Sequence, residues 1–178
     1  MKVNVVGTSG SGKSTMARQL AQKLAVPYIE MDKLYWQPGW QGTHGDEFLL
    51  KVTQALADAA EGWVLDGNYN RTKAIKWREV DWVIWLDYGF FRTLWQVTRR
   101  TLLRAWQETE LWPDTGNRES IYRAFFNRRE SIIWWMLTSY RRNRRKYLAE
   151  MQDACNGHIR FIRLRSPAET ALFLASLP

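Results

Sequence analysis

Apolar residues along this chain recur in two rhythms. Short, nearly unbroken runs predict strands: Val3–Val6, Tyr28–Asp32, Trp63–Gly67, Val80–Asp87 and Ile159–Leu164. The fourth run contains Trp82-Val83-Ile84-Trp85-Leu86, which predicts burial on both faces. Between the runs the period lengthens to that of a helix. Met16, Ala17, Leu20, Ala21 and Leu24 share one face, as do Phe48, Leu49, Val52, Leu56 and Ala59 of a helix that Asp46 can cap and Gly62 can end. Lys33–Gly45, with Pro38, three glycines and Tyr35, Trp36 and Trp40, reads as a loop rich in aromatic residues. From Gly89 to about Tyr147 the pattern is helical, and the turn-rich stretch Leu111–Asn117 splits it. A basic helix, Arg92–Trp106, comes before the break, and a second helix, about Arg118 to Thr138 with an arginine-rich continuation, follows it. Ser166-Pro167-Ala168-Glu169 combines Pro at the first helical position with a capping box and predicts a last helix ending at Leu177. Strands alternating with helices predict an α/β fold with a parallel, doubly wound sheet.

Directly behind the first strand stands Gly7-Thr8-Ser9-Gly10-Ser11-Gly12-Lys13-Ser14, a complete G-x-x-x-x-G-K-[ST] phosphate loop. Backbone N–H groups must close around the phosphates there, and side chains at the glycine positions would hold the backbone away. Lys13 is expected to reach the β- and γ-phosphates, and the Ser14 hydroxyl to coordinate Mg²⁺. The helix starting near Ser14 points its positive end at the anion. ATP and Mg²⁺ are therefore the expected cofactors, held by Gly7, Ser9, Gly10, Ser11, Gly12, Lys13, Ser14 and Thr15.

Length and composition set bounds. The 178 residues suit one domain, 1–178, with a helical, lid-like insertion at about 89–147. The four-residue apolar run after Lys2 is broken by Asn4, so no signal peptide is expected, no stretch approaches a membrane span, and a cytoplasmic protein is the default. The single Cys155, expected on a helix before the last strand, leaves no internal disulfide, and two His supply no zinc cluster. Lys and Arg outnumber Asp and Glu by 26 to 18, with the excess between Arg92 and Arg145. That asymmetry suggests a polyanionic ligand, either substrate phosphates gripped by a lid or a nucleic acid backbone, unless it is a solvated helical surface.

Asp32 and Asp66 each close a predicted strand, and in an open parallel sheet ligands sit beyond the strand carboxyl ends. One acid can accept from metal-bound water, with Asp66 the candidate metal partner beside Ser14; the other, Asp32, can orient an acceptor for in-line attack. Either could instead cap the turn that follows it. Arg92, Arg99, Arg100 and Arg104 lie on one predicted helix, with Arg100 and Arg104 on a shared face. Lys13, Asp32, Arg100, Arg104 and Arg141 are the catalytic candidates, with Arg118 or Arg123 as further lid arginines. Trp82, Trp85 and Trp134 read as core. Tyr35, Trp36 and Trp40 either stack on a planar acceptor or cover the sheet edge.

The phosphate loop Gly7–Thr15, Met31-Asp32-Lys33-Leu34-Tyr35-Trp36, Trp63-Val64-Leu65-Asp66-Gly67-Asn68-Tyr69 and the basic helix after Asp87 carry a resemblance over most of the chain. The sequence resembles the small P-loop kinases of the adenylate kinase and shikimate kinase group, and most closely the bacterial topology modulation or FlaR-like proteins. The resemblance implies a three-layer P-loop NTPase sandwich, a five-stranded parallel sheet in the order 2-3-1-4-5, and an arginine-bearing lid. It also implies an acceptor pocket between Asp32 and Arg71, with Tyr35, Trp36 and Asp66 as further substrate-binding residues and Arg165 beside the adenine. Two departures stand out. Asn68-Tyr69-Asn70-Arg71 replaces the Pro-Arg that follows Asp-Gly in nucleoside monophosphate kinases, and Leu111–Ser120 matches no adenylate kinase lid.

The expected activity is ATP-dependent phosphoryl transfer to a small acceptor, a nucleotide among the candidates. The competing class is a nucleic-acid-associated P-loop ATPase or regulator, motivated by the net charge of +8 and by arginines mixed with Trp106, Trp112, Trp134 and Trp135. A membrane-surface role for Ile132–Leu137 beside Arg141–Lys146 is the least supported.

Overall fold

In the computed structural model, which describes residues 1–113, 115–120, 122 and 131–177, the chain runs through β1 (Lys2–Gly7), α1 (Lys13–Leu24), β2 (Tyr28–Glu30) and α2 (Met31–Tyr35). A two-strand hairpin, β3 (Trp36–Gln37) and β4 (Gln41–Gly42), leads to α3 (Gly45–Asp58), β5 (Trp63–Asp66) and the short α4 (Lys73–Lys76). Then follow β6 (Trp82–Leu86), α5 (Phe90–Trp106), α6 (Ile132–Glu150), β7 (Arg160–Leu164) and α7 (Pro167–Ala175).

Five strands form one sheet in the order β2-β5-β1-β6-β7, all pairs parallel. Counted within that sheet alone, the order is 2-3-1-4-5, the P-loop NTPase arrangement. Side chains alternate across it with the period of a strand. Val3, Val5, Ile84, Leu86 and Leu164 pack against Met16 and Leu20 of α1; Val6, Val83 and Trp85 pack with Phe48, Val52, Trp77 and Tyr147. Helices thus cover both faces in three layers, and a buried side chain the size of Leu65 contributes about 1.5–3 kcal/mol by leaving water. Asn4, which breaks the apolar run of β1, is fully buried and satisfied. It donates to the Leu65 and Gly67 carbonyls at 3.0 and 3.3 Å and accepts from Trp77 Nε1 at 3.0 Å. A third cluster of Val97, Met136 and Tyr140 holds α5 to α6.

Several sequence expectations shift. The second strand stops at Glu30, and Asp32 sits in the first turn of α2, because Met31 turns into the core against Gly67. Part of the expected loop after Asp32 is therefore helix and hairpin. Asp46 lies inside the first turn of α3, whose N-cap is His44. The strands at Trp63 and Val80 are shorter, ending at Asp66 and spanning only Trp82–Leu86. Trp134 is not core: it is 42% exposed near the start of α6. Cys155 lies in a 3₁₀ turn, exposed. The second long helix is described only from Ile132, with Ser131 Oγ accepting from Trp134 N at 3.0 Å. No helix among the described residues is long and apolar enough to cross a membrane.

Lys76 is buried beneath Gly67, donating to that carbonyl at 3.2 Å. Burial, helped by the Lys146 charge, pushes its pKa down to about 7. In the unfolded chain the amine takes up a proton at pH values where the folded chain leaves it neutral, so stability rises with pH from about 7 towards the ordinary lysine value of 10.5. Lys76→Met is expected to flatten that rise. Urea titrations of both proteins at several pH values check it, and parallel profiles would contradict it.

Candidate active site

The phosphate loop joins β1 to α1 in a conformation its glycines permit. Gly10 and Gly12 hold φ of +86°, a region that L side chains avoid. The Ser11 Oγ fills the place a Gly7 side chain would need, 2.6 Å from an ideal Cβ there. A Cβ on Gly10 would lie 2.7 Å from the Thr93 carbonyl oxygen and 2.7 Å from Val97 Cβ, so the loop packs directly beneath α5. Over Gly12 a Cβ would meet nothing, and no side chain caps α1. The first-turn N–H groups of α1 are left for an anion in that open space.

Below it, Lys13 Nζ lies 3.3 Å from Asp66 Oδ1, with the lysine side chain 17% and the aspartate 2% exposed. Burial alone would lower the Lys13 pKa, but Asp66 and Asp32 outweigh it and hold the ammonium above its ordinary value. The Tyr28 hydroxyl donates to Asp66 Oδ2 at 3.0 Å, and the Tyr69 hydroxyl donates to Asp32 Oδ1 at 2.7 Å. Burial and these carboxylates push both tyrosine pKa values well up, so the two phenols stay protonated and keep donating to the aspartates. The Asn68 amide pairs with the Gly7 backbone in both directions, accepting from its N–H at 3.0 Å, and ties the end of β5 to the loop.

Helix α5 forms the roof. Gln96, Arg100 and Arg104 lie along one groove of about 400 Å³ with Trp95, Arg99 and Leu103. Arg100 is near enough to Asp32, Asp66 and Lys13 for their charges to act on one another; burial, then Arg104, lowers its pKa, and Glu119 and the two aspartates oppose that. Arg104 pairs with Glu119 at 3.1 Å. Arg100 Nε, Gln96 Oε1, Glu119 Oε2, Asp66 Oδ1 and Ser11 Oγ are buried without a hydrogen-bond partner.

The stretch after α5 folds back onto the β3–β4 hairpin. The Asn117 side chain accepts from Trp40 N at 2.9 Å and donates to the Gln37 carbonyl at 2.9 Å. Trp112, buried, lies nearly parallel to Trp36 (centroids 6.5 Å apart) and edge-on to Trp40 (5.9 Å), and its Nε1 donates to Glu30 at 3.3 Å. Trp36 and Trp40 thus clasp the roof to the segment that follows Asp32. Tyr35 packs instead among Phe48 and Tyr69.

Of the residues singled out by sequence, Lys13, Asp32, Asp66 and Arg100 converge, with Ser14 in the first turn of α1. Arg104 reaches the same groove while paired to Glu119. Arg71 does not join Asp32 through any described contact. Its guanidinium covers Gly45, and it lines another groove with Lys73, Trp77 and Asn156. Arg141 is exposed on α6, and Arg118 pairs with Glu108 at 3.2 Å. Arg165 is exposed, its N–H donating to Glu169 at 2.8 Å. Arg123 lies outside the described residues. Sequence reasoning missed Asn68, Tyr69, Gln96, Trp112, Asn117 and Glu119. Only the Asp-Gly-Asn-Tyr run pointed towards two of them; the rest carry no local signal.

A shikimate kinase family model matches residues 9–39, from within the phosphate loop to the hairpin. An adenylate kinase of Mycolicibacterium smegmatis and one of Mycolicibacterium vanbaalenii are each 33% identical over 85 residues, 38% of this chain and 47% of theirs. An adenylate kinase of Streptomyces griseus is 35% identical over 85 residues, 39% of its length. The chain spans less than half the length of the curated relatives it matches. Phosphate loop, strand order and these partial matches agree on a P-loop NTPase fold similar to that of the P-loop kinase group.

Proposed function

We propose that this chain transfers the γ-phosphoryl group of ATP to a small acceptor. The observation that carries the reading is the buried Lys13–Asp66 pair at the end of the phosphate loop, with Asp32 and Arg100 near enough for their charges to act on Lys13. The residues fit a magnesium-bound nucleotide: Asp66 Oδ1 is a buried oxygen without a hydrogen bond, and the N-terminus of α1 is uncapped. Ser14 and Asp66 would hold Mg²⁺, Asp66 through bound water, and the ion supplies neutralisation of phosphate charge. Lys13, held charged, meets the β- and γ-phosphates. Arg100 faces charge developing on the transferring group, where one positioned cation can contribute on the order of 10³-fold. Asp32, oriented by the Tyr69 hydroxyl, accepts the acceptor's proton.

The nearer likeness to FlaR-like topology modulation proteins rests on the phosphate loop, the Asp32 and Asp66 segments and the basic helix after Asp87, and adds no activity to this reading. A cytoplasmic setting belongs with it, through ATP supply. The nucleic-acid alternative loses one of its tryptophans, since Trp112 is buried in the clasp. The test is continuous ADP release from Mg-ATP with nucleosides, nucleotides and small hydroxy acids added singly. Acceptor-stimulated turnover is expected, and Asp32→Asn is expected to keep ATP binding while losing about 10²-fold of the stimulation. Stimulation unchanged in that variant removes Asp32 from the chemistry; slow hydrolysis indifferent to every compound counts against the kinase reading.

A further inference from the structure

Beside the phosphate loop, β5 stops before β1 does. The two strands pair as far as Val5 and Asp66, and the Val5 carbonyl accepts from Gly67 N at 3.2 Å. At Gly67 the backbone turns off with φ of +151°. Gly7, two residues after Val5, directs its N–H and carbonyl to the same side, where β5 no longer offers backbone partners. The Asn68 side chain stands in for the missing strand. Its Oδ1 accepts from Gly7 N at 3.0 Å, and its Nδ2 donates to the Gly7 carbonyl.

That amide is itself held in place. Oδ1 also accepts from the Tyr147 hydroxyl at 3.2 Å, and burial, then the Glu150 charge, keeps this α6 phenol protonated. With two donors on Oδ1 and a carbonyl on Nδ2, one orientation of the amide satisfies every group. Residues flanking Tyr147 on α6 grip the chain just after Asn68: Lys146 donates to Asn70 Oδ1, and Glu150 pairs with Lys73. On the other side, Asn4 and Lys76 both donate to the Gly67 carbonyl. Residues 67–73 are thus fixed between the sheet and α6, and Asn68 carries that fixed position to Gly7.

We propose that Asn68 is a positioning residue for nucleotide binding: its carboxamide completes the β1 ladder at Gly7 and so presets the phosphate loop, and Tyr147 fixes the orientation of that amide from α6. The inference rests on the nucleotide site of the kinase reading above and assigns Asn68 no contact with the reacting atoms. Its physical basis is the freedom of the loop. Gly7, Gly10 and Gly12 give the backbone more conformations to lose than other residues would, and a loop not already ordered must lose them when the phosphates bind. Anchoring both polar groups of Gly7 removes part of that cost before the nucleotide arrives.

The experiment is calorimetric titration of the full chain and its variants with the non-hydrolysable analogue AMP-PNP and Mg²⁺, well below each Tm. Asn68→Ala, which strips Gly7 of both partners, is expected to weaken binding on the order of tenfold. Tyr147→Phe keeps the packing, loses only the hydroxyl, and is expected to weaken it about threefold. Ile159→Ala supplies the contrast that a merely structural role would not give. It opens a cavity where the chain enters β7, at the end of the sheet away from the loop, and should lower Tm while leaving AMP-PNP affinity at the wild-type value. Affinity in Asn68→Ala within about twofold of wild type overturns the inference while leaving the kinase reading standing. So does an equal loss of affinity in Ile159→Ala, which would trace the effect to stability alone. Should Asn68→Ala not fold, unchanged affinity in Tyr147→Phe overturns the inference in its place. Failure of AMP-PNP to bind the wild type removes the kinase reading and this inference with it.

Discussion

Lys13→Ala is expected to lower acceptor-dependent turnover by on the order of 10³-fold or more and to destabilise the chain by about 2 kcal/mol. The two effects have separate causes. Turnover falls because, in the kinase reading, the ammonium neutralises the β- and γ-phosphates, and phosphoryl transfer is mostly positioning and charge neutralisation. Stability falls because Asp66, 2% exposed, loses its ionic partner and keeps only the Tyr28 hydroxyl. A buried charge left alone costs more than the intact pair returned. A double-mutant cycle separates them: Lys13→Ala with Asp66→Asn should recover stability relative to Lys13→Ala alone, yet recover no turnover. Denaturant midpoints and ADP release are the readouts. A double variant no more stable than the single one would show that the pair is not what Asp66 depends on.

Gly10→Ala is expected to have the next largest effect, through geometry rather than charge. The added Cβ would sit 2.7 Å from the Thr93 carbonyl oxygen and from Val97 Cβ, and 2.9 Å from Val97 N. These are helix backbone and a buried side chain, which cannot swing aside. The positive φ adds about 1–2 kcal/mol of strain. Either α5 lifts or the loop deforms, and α5 carries Arg100, so turnover should fall about 10²-fold together with a Tm several degrees lower, as a loss of 2 kcal/mol or so implies. Gly12→Ala is the control, because its Cβ would meet open space. Strain alone should lower its Tm less than in Gly10→Ala, while AMP-PNP affinity drops as the side chain enters the phosphate site. Equal Tm losses in the two variants would mean that the contact with α5 does not govern Gly10.

The gap between expectation and structure follows the range of the interactions concerned. Gly7–Ser14 was readable because a phosphate loop is one contiguous segment whose function lies in local backbone shape. The capping box at Ser166 was readable for the same reason: Ser166 Oγ accepts from Glu169 N at 3.1 Å. Asp32 was assigned to a strand end because Tyr28–Asp32 looks extended and apolar. The structure turns it into a helix one residue after the β2–β5 pairing stops at Glu30. Trp134 was assigned to the core by its hydrophobicity, but the face of α6 that packs against α5 is the one carrying Met136 and Tyr140. The resemblance places Arg71 in the acceptor pocket, but its neighbours, Gly45 of α3 and the turn at Cys155 and Asn156, are distant in sequence.

From the sequence alone came the phosphate-loop motif, the alternation of strand and helix, and the concentration of arginine after the fourth strand of the sheet, since composition, period and contiguous motifs are properties of neighbouring residues. Tertiary structure alone decided which arginine lies nearest Asp32 and Asp66, that Trp112 and Asn117 clasp the roof to the hairpin, and that Arg104 pairs with Glu119 while Gln96 Oε1 is buried without a hydrogen bond. Those facts depend on distant segments meeting, as Asn117 meets Gln37 80 residues away and Trp112 meets Glu30 82 residues away, and no local periodicity records which side chains meet when a sheet and its covering helices close.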